Sequence, residues 1–260
     1  MAGSPADELA FALSLADEAD AFTLPRFERA DFTLGWKDDR SEVTEADRGA
    51  ESLLASRVLA ERPTHGFLGE EHGVQGDIES PWRWIVDPID GTSGFVRGIP
   101  VWATLIALTH ADDGLVTAVV SAPAMRRRWW AGRDLGAFAD GTPCRVSDVS
   151  ELVNAQVSVT FSRGWDELGL TDELVAISRE ARRGRGFGDF WQHCLVAEGA
   201  LDLAIDAVGV APYDLAAVRL IVEEAGGTFT DREGNPTHEE PSAISSNGAL
   251  HAQVISRLGR

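Results

Sequence analysis

The stretch Trp84-Ile85-Val86-Asp87-Pro88-Ile89-Asp90-Gly91-Thr92 constrains this chain more than any other. An apolar, β-branched and aromatic run ends in two carboxylates three residues apart, followed at once by a glycine and a hydroxyl. Trp84 to Val86 reads as a buried strand. Pro88 fixes one φ angle and removes a donor, so a stiff turn is expected there. Asp87 and Asp90 then stand at the carboxyl end of the strand, where open α/β architectures place ligands. Carboxylates this close repel one another unless a cation lies between them. With oxygen donors alone, the fitting cations are Mg2+ and Mn2+. Gly91 and Thr92 allow close backbone approach and offer N–H groups to a phosphate. A bare Asp-x-x-Asp serves as often to cap a helix start; the longer string is far more specific.

Asp87-Pro88-Ile89-Asp90-Gly91-Thr92 resembles the signature of the inositol monophosphatase superfamily of Mg2+-dependent phosphomonoesterases. Companion motifs follow in that superfamily's order: Val43-Thr44-Glu45-Ala46-Asp47, Gly69-Glu70-Glu71, Asp214-Leu215-Ala216-Ala217 and Glu224-Ala225-Gly226-Gly227. The likeness spans nearly the whole chain. It implies a layered αβαβα sandwich with two or three Mg2+ ions. Glu70, Asp87 and the backbone carbonyl of Ile89 would hold one ion, and Asp87, Asp90 and Asp214 a second, with a weaker third near Glu70. Thr92, paired with Asp47, would orient the attacking water, and the N–H groups of Gly91 and Thr92 would cradle the phosphate. A homodimer and lithium inhibition are implied as well. One departure is Tyr213, where most relatives carry Trp before the last metal ligand; the aromatic character is kept.

Each of these residues also has an ordinary reading. An acid in a first helical turn, such as Asp47, complements the helix dipole. The Glu70-Glu71 pair suits a solvated loop, and Asp214 suits a helix N-cap, a role compatible with ligation. Lys37, the single lysine, lies in the polar run Lys37-Asp38-Asp39-Arg40-Ser41, which resembles the superfamily's mobile loop. It reads equally as that loop's lysine or as a solvated one. Arg126-Arg127-Arg128 could meet an anionic substrate, but strand-end capping or subunit salt bridges suit it better.

A chain of 260 residues holds one large domain or two close halves. A polar stretch from Asp140 to Leu152 places the boundary, giving 1–145, with most metal ligands, and 146–260, with the last one and the substrate side. A net charge of -19 argues against nucleic acid as a partner. No segment suggests a membrane span, and an N-terminus carrying Asp7, Glu8, Asp17 and Glu18 suits no signal peptide, so a cytoplasmic enzyme is expected. Cys144 and Cys194 read as thiols in a reducing compartment.

Apolar periodicity predicts a helix over 7–27 and another from Thr44, its N-cap, to about Leu59. A short strand is expected to deliver Glu70, and one helical turn to follow at 94–98. A hairpin over 102–110 and 115–122 turns at Asp113-Gly114, and 128–131 and 136–138 continue it. The second half alternates: strands at 156–161, 185–187, 201–205, 228–230 and 243–245, helices at 174–182, 191–199, 215–224 and 250–257. Ser246 or Asn247 would cap the last helix. The alternation itself argues for layered α/β/α.

Gly188-Asp189-Phe190-Trp191-Gln192-His193-Cys194 is similar to the histidinol-phosphate phosphatase branch of the superfamily, as are Val101-Trp102-Ala103 and Arg127-Arg128-Trp129-Trp130. That branch's substrate carries an ammonium and an imidazole, for which Asp189 and Asp206 are suitable acidic partners. The alternatives are an N-cap role for Asp189, an inositol-1-phosphate or broad sugar-phosphate substrate, and a non-catalytic ligand-binding homologue. Trp191 and His193 read as packing residues.

Overall fold

The computed structural model describes residues 4–37 and 41–259. Asp38, Asp39 and Arg40 of the expected loop lie outside them. The chain divides into two units, Met1–Leu135 and Gly136–Arg260, ahead of the polar stretch 140–152. No helix among the described residues is long and apolar enough to cross a membrane.

In chain order the first unit carries α1 (Pro5–Arg29), β1 (Leu34–Trp36), β2 (Glu42–Thr44), α2 (Glu45–Glu61), β3 (Gly66–Gly69), β4 (Gly73–Gly76), β5 (Trp82–Asp90), α3 (Thr92–Val96), β6 (Ala103–His110), β7 (Gly114–Ala122) and β8 (Arg127–Gly132). Strands β1 and β2 form a ribbon, and six strands of the main sheet run β8-β7-β6-β5-β3-β4. Strand β3 lies parallel to β5, while β6, β7 and β8 follow as an antiparallel meander. The expected Asp-Gly turn is present, with Gly114 at φ +71°.

Helix α1 starts from a capping box in which Ser4 and Asp7 bond one another's backbone. Its face Phe11, Leu15, Ala16 and Ala19 packs with Leu54 and Val58 of α2 onto Phe67, Trp84, Val86 and Ile106. Phe11 meets Trp84 edge-on at 5.4 Å, and the Trp84 indole donates to His65 Nδ1 at 3.2 Å. Burial lowers the His65 pKa, consistent with an imidazole that accepts that bond.

The stiff turn expected at Pro88 is absent: β5 continues through it to Asp90. Asp87 pairs with Leu105 and Asp90 with Ala103, so three steps on β5 match two on β6. This is a bulge, and proline is tolerated there because one ladder donor is already lost. Thr104 Oγ1 donates to the Pro88 carbonyl at 2.8 Å, satisfying it.

The second unit carries β9 (Gly136–Ala139), β10 (Thr142–Pro143), β11 (Gln156–Val159), α4 (Arg163–Glu167), α5 (Thr171–Glu180), β12 (Arg183–Arg185), α6 (Asp189–Ala197), β13 (Leu203–Ile205), α7 (Pro212–Glu224), β14 (Thr228–Thr230), β15 (Ile244–Ser246) and α8 (His251–Leu258). Five strands form one sheet, β12-β11-β13-β15-β14, parallel across β12, β11 and β13 and antiparallel beyond. Its core joins Val157, Trp165, Leu174, Ile177, Leu203, Ile205, Ile244 and Val254. The N-cap of α8 is Leu250, not Ser246 or Asn247, and no side chain caps it in the usual way; Asn247 Oδ1 instead accepts from the Leu250 N–H at 3.4 Å. Cys144 and Cys194 are free thiols.

Arg128 belongs to the interior ledger of the first unit rather than to a ligand surface. Its guanidinium donates to Asp17 at 2.7 Å, Asp20 at 2.6 Å and Ser121 at 2.9 Å. Arg128→Met is therefore expected to lower stability by about 1–2 kcal/mol, read as a fall in melting temperature with unchanged KM. A raised KM with an unchanged melting temperature would return this arginine to the substrate.

Candidate functional site

The site in the first unit is built on the β5 bulge. Side chains three apart on a regular strand point to opposite faces. The extra residue at Pro88-Ile89 resets that alternation, and carboxylate oxygens of Asp87 and Asp90 come within 4.8 Å of one another. Asp87 is buried, and its Oδ1 accepts from the Ile89 N–H at 2.9 Å, which holds the bend. The Ile89 side chain is sunk in a cluster with Ala46, Phe95 and Trp102, supported by Phe27. Phe95 and Trp102 meet at 4.9 Å and Phe27 meets Trp102 at 5.4 Å. That anchor fixes where the Ile89 carbonyl points.

Gly91 follows with φ +85°, and a Cβ there would stand 3.0 Å from the Val101 carbonyl oxygen. Both facts demand glycine. Helix α3 begins at Thr92, earlier than the turn expected at 94–98.

Asp47 joins this bend from α2. Thr44 is the N-cap as expected, and Asp47 closes a capping box with it. Asp47 Oδ2 accepts from the Thr44 N–H at 2.8 Å and the Thr44 hydroxyl at 2.6 Å. Its Oδ1 lies 2.9 Å from Thr92 Oγ1, which also lies 3.0 Å from the Ile89 carbonyl. A hydroxyl has one proton and two lone pairs. When the Ile89 carbonyl is otherwise engaged, the Thr92 proton goes to Asp47, and its lone pairs stay open to accept from a water. Burial raises the Asp47 pKa, against the lowering pull of the Thr44 and Thr92 hydrogen bonds.

Strand β3 delivers Glu70, and the following turn is clasped by a residue that sequence reading missed. Glu51 of α2, fully buried, accepts from the Glu71 N–H at 2.7 Å, the His72 N–H at 2.8 Å and His72 Nδ1 at 2.9 Å. A Cβ on Gly69 would come within 2.2 Å of this carboxylate, so glycine is required there. The available signal was a carboxylate in the apolar stripe Ala50, Leu54, Ala55, Val58 of one helix. Lys37 is no solvated lysine: its ammonium lies 2.7 Å from both Glu70 and Glu71. Burial alone would lower its pKa, but bonds and charge from Glu70 and Glu71 reverse this and raise it. Glu71 is itself raised, by burial ahead of the opposing Lys37 bond and the like charges of Glu70 and Asp47.

Oxygen-only donors and a carboxylate pair close enough to share one ion are a set that suits a hard cation. The donor set fits Mg2+.

In the second unit, Asp214 stands at the third position of α7, not at its N-cap Ala211; its carboxylate accepts from the Ala211 N–H at 2.7 Å. Asp189 is not an N-cap either. It is the first residue of α6 after Gly188, at φ +49°, and no side-chain cap bond forms at that terminus. Loss of surrounding water and then the Asp206 charge raise its pKa, with His193 pulling the other way. Asp206 is buried at the end of β13.

The profile described as the inositol monophosphatase family matches residues 6–260, and the chain belongs to that family. It is 44% identical to a histidinol-phosphatase of Streptomyces coelicolor over 98% of this chain and 97% of that protein. It is 46% identical to a histidinol-phosphatase of Mycobacterium tuberculosis over 97% of this chain and 98% of that one. Among solved structures it resembles an inositol monophosphatase from Zymomonas mobilis, with TM-score 0.85, 30% identity and full coverage of both chains. The extragenic suppressor protein suhB of Bartonella henselae superposes with TM-score 0.87 at 29% identity, over 96% of this chain and 97% of that one.

Two predictions follow from the supports of this site. Glu51→Ala removes the acceptor that holds the turn after Glu70 and is expected to weaken divalent-cation activation about 10–100-fold, measured by titrating the cation against turnover. Asp47, with a raised folded pKa, stabilises the fold below its ordinary value of 3.8, and that contribution is lost as pH rises through the raised value. Melting curves in chelator should therefore fall less steeply across this window for Asp47→Asn than for wild type; parallel curves would refute the raised value.

Proposed function

We propose that this chain is a Mg2+-dependent phosphatase that hydrolyses L-histidinol phosphate to L-histidinol and phosphate. Similarity to two histidinol-phosphatases over nearly the whole chain is the observation that carries the reading. In it, Glu70, Asp87 and the Ile89 carbonyl hold one Mg2+, and Asp87, Asp90 and Asp214 a second; a third ion and replacement by Mn2+ are part of the same reading. When bound, the metal neutralises phosphate charge, makes bound water more acidic and steadies the leaving oxygen. Thr92 would accept a hydrogen bond from the attacking water on an Oγ lone pair while donating its own hydrogen bond to Asp47, and so orient that water. Gly91 and Thr92 direct backbone N–H groups at the phosphate.

Asp189 and Asp206 take the cationic part of the substrate. Two carboxylates close enough for one charge to raise the other's pKa are relieved by an ammonium or imidazolium between them. Asp189 is exposed at the start of α6 with a left-handed φ of +49°, a conformation Asp tolerates, so its carboxylate is open to a ligand. Lys37, seated on Glu70 and Glu71, would compete with a cation for Glu70. Cytoplasmic location and a homodimer complete the reading; sedimentation of the purified chain tests the latter.

The deciding measurement is phosphate release with Mg2+ from histidinol phosphate and inositol 1-phosphate. Wild type is expected to prefer the former, and Asp189→Asn to erode that preference about tenfold or more. A preference for inositol 1-phosphate, or indifference to the substitution, would sink the substrate assignment and leave the metal chemistry standing. Thr92→Ala is expected to lower kcat about 100-fold or more for either ester.

A further inference from the structure

Helix α6 carries a histidine that the scheme above leaves unused. Phe190, His193, Cys194 and Ala197 form its buried stripe. His193 Nε2 lies 2.9 Å from Asp206 Oδ2, and its Nδ1 lies 2.8 Å from Ser245 Oγ on β15. An ionised carboxylate only accepts, so Nε2 carries a proton. In a neutral ring Nδ1 then accepts, and the Ser245 hydroxyl donates to it.

The three residue types are those of a hydrolytic triad, but the ring faces the other way. In such triads Nε2 meets the serine and Nδ1 the carboxylate. Here Ser245 is also fully buried, beyond the reach of an ester. The relay instead fixes Asp206. The other carboxylate oxygen of Asp206 accepts from the Ala207 N–H at 2.7 Å. The Asp206 N–H donates to the Ala243 carbonyl at 2.9 Å, and its own carbonyl accepts from the Trp165 indole at 2.9 Å. Phe229 packs against the His193 ring with centroids 5.6 Å apart. Backbone and side chain of Asp206 are thereby held from every side the unit offers.

We propose that His193, oriented by Ser245, is a positioning residue that holds the Asp206 carboxylate as a preorganised receptor for the cationic part of the substrate. The proposal rests on the histidinol-phosphate reading. Preorganisation removes the cost of ordering the receptor at the moment of binding, so its loss appears in affinity for a cationic ester and spares a neutral one.

The test is steady-state kinetics with saturating Mg2+ on wild type, His193→Leu, His193→Gln and Ser245→Ala, each with histidinol phosphate and inositol 1-phosphate. His193→Leu is expected to raise KM for histidinol phosphate about tenfold or more, the scale of a hydrogen bond to a charged group. Its kcat should stay within about threefold, and its constants for inositol 1-phosphate should not move. His193→Gln, whose amide still donates, should restore most of the loss, and Ser245→Ala should show a smaller shift in the same direction. Equal losses on both esters, or no loss, would overturn the proposal; Ser245→Ala decides it if His193→Leu does not fold. If wild type itself shows no preference for histidinol phosphate, the substrate reading fails first and the positioning role falls with it.

Discussion

The whole site hangs on one extra residue in β5. Without the bulge, Asp87 and Asp90 would point to opposite faces of the sheet, one into the apolar cluster beneath α1 and α2. With it, two carboxylates share one side, an arrangement that a cation between them would relieve. The surrounding structure supplies what the strained segment lacks. Thr104 takes the Pro88 carbonyl, Asp87 takes the Ile89 N–H, and the Phe95–Trp102 cluster grips the Ile89 side chain. Rigid aromatic packing below and polar bonding above hold a geometry that local propensity does not favour.

The same division of labour recurs around Glu70 and Asp206. In each case a candidate carboxylate sits just beyond a strand end, and a buried polar residue on a neighbouring helix fixes it or the turn that follows it. Glu51 clasps the turn after Glu70, and His193 clasps Asp206. Both clasps lie on apolar helix stripes, where an unpartnered polar group would cost about 1–3 kcal/mol. Their partners repay that cost, so a polar residue in such a stripe marks a fixed contact elsewhere in the fold.

This explains what was legible in the sequence. Helices α1, α2 and α7, the Asp113-Gly114 hairpin and the ligand-bearing end of β5 follow from periodicity and turn chemistry acting within a few residues. Strands β1, β2 and β4 span only three or four residues each, too short to display a period. The five-residue helix α4 was missed for the same reason. Pro88 was read as a turn because its local effect is real; whether a proline bends a chain or sits in a bulge depends on the partner strand. Glu51 and His193 escaped because their partners lie 20 residues away for Glu51 and 13 and 52 for His193, contacts that only the tertiary fold makes.

Charge ties these observations together. A net charge of -19 on 260 residues is unremarked at the surface, where water screens it, but several of its carboxylates are buried or crowded. The protein meets that burden in three chemically distinct ways. Hydroxyl and amide donors surround Asp47 and offset part of the cost of its burial. Lys37 compensates Glu70 and Glu71 with a charge carried on the chain. Asp189 keeps the unfavourable proximity of Asp206, visible in its raised pKa. A carboxylate held by fixed donors suits orienting a water, and Glu70, the proposed metal ligand, is one compensated by a lysine. One left in repulsion is suited to receiving a cationic ligand. The three states correspond to the three roles proposed for these acids: orienting water, holding metal and meeting a cationic substrate.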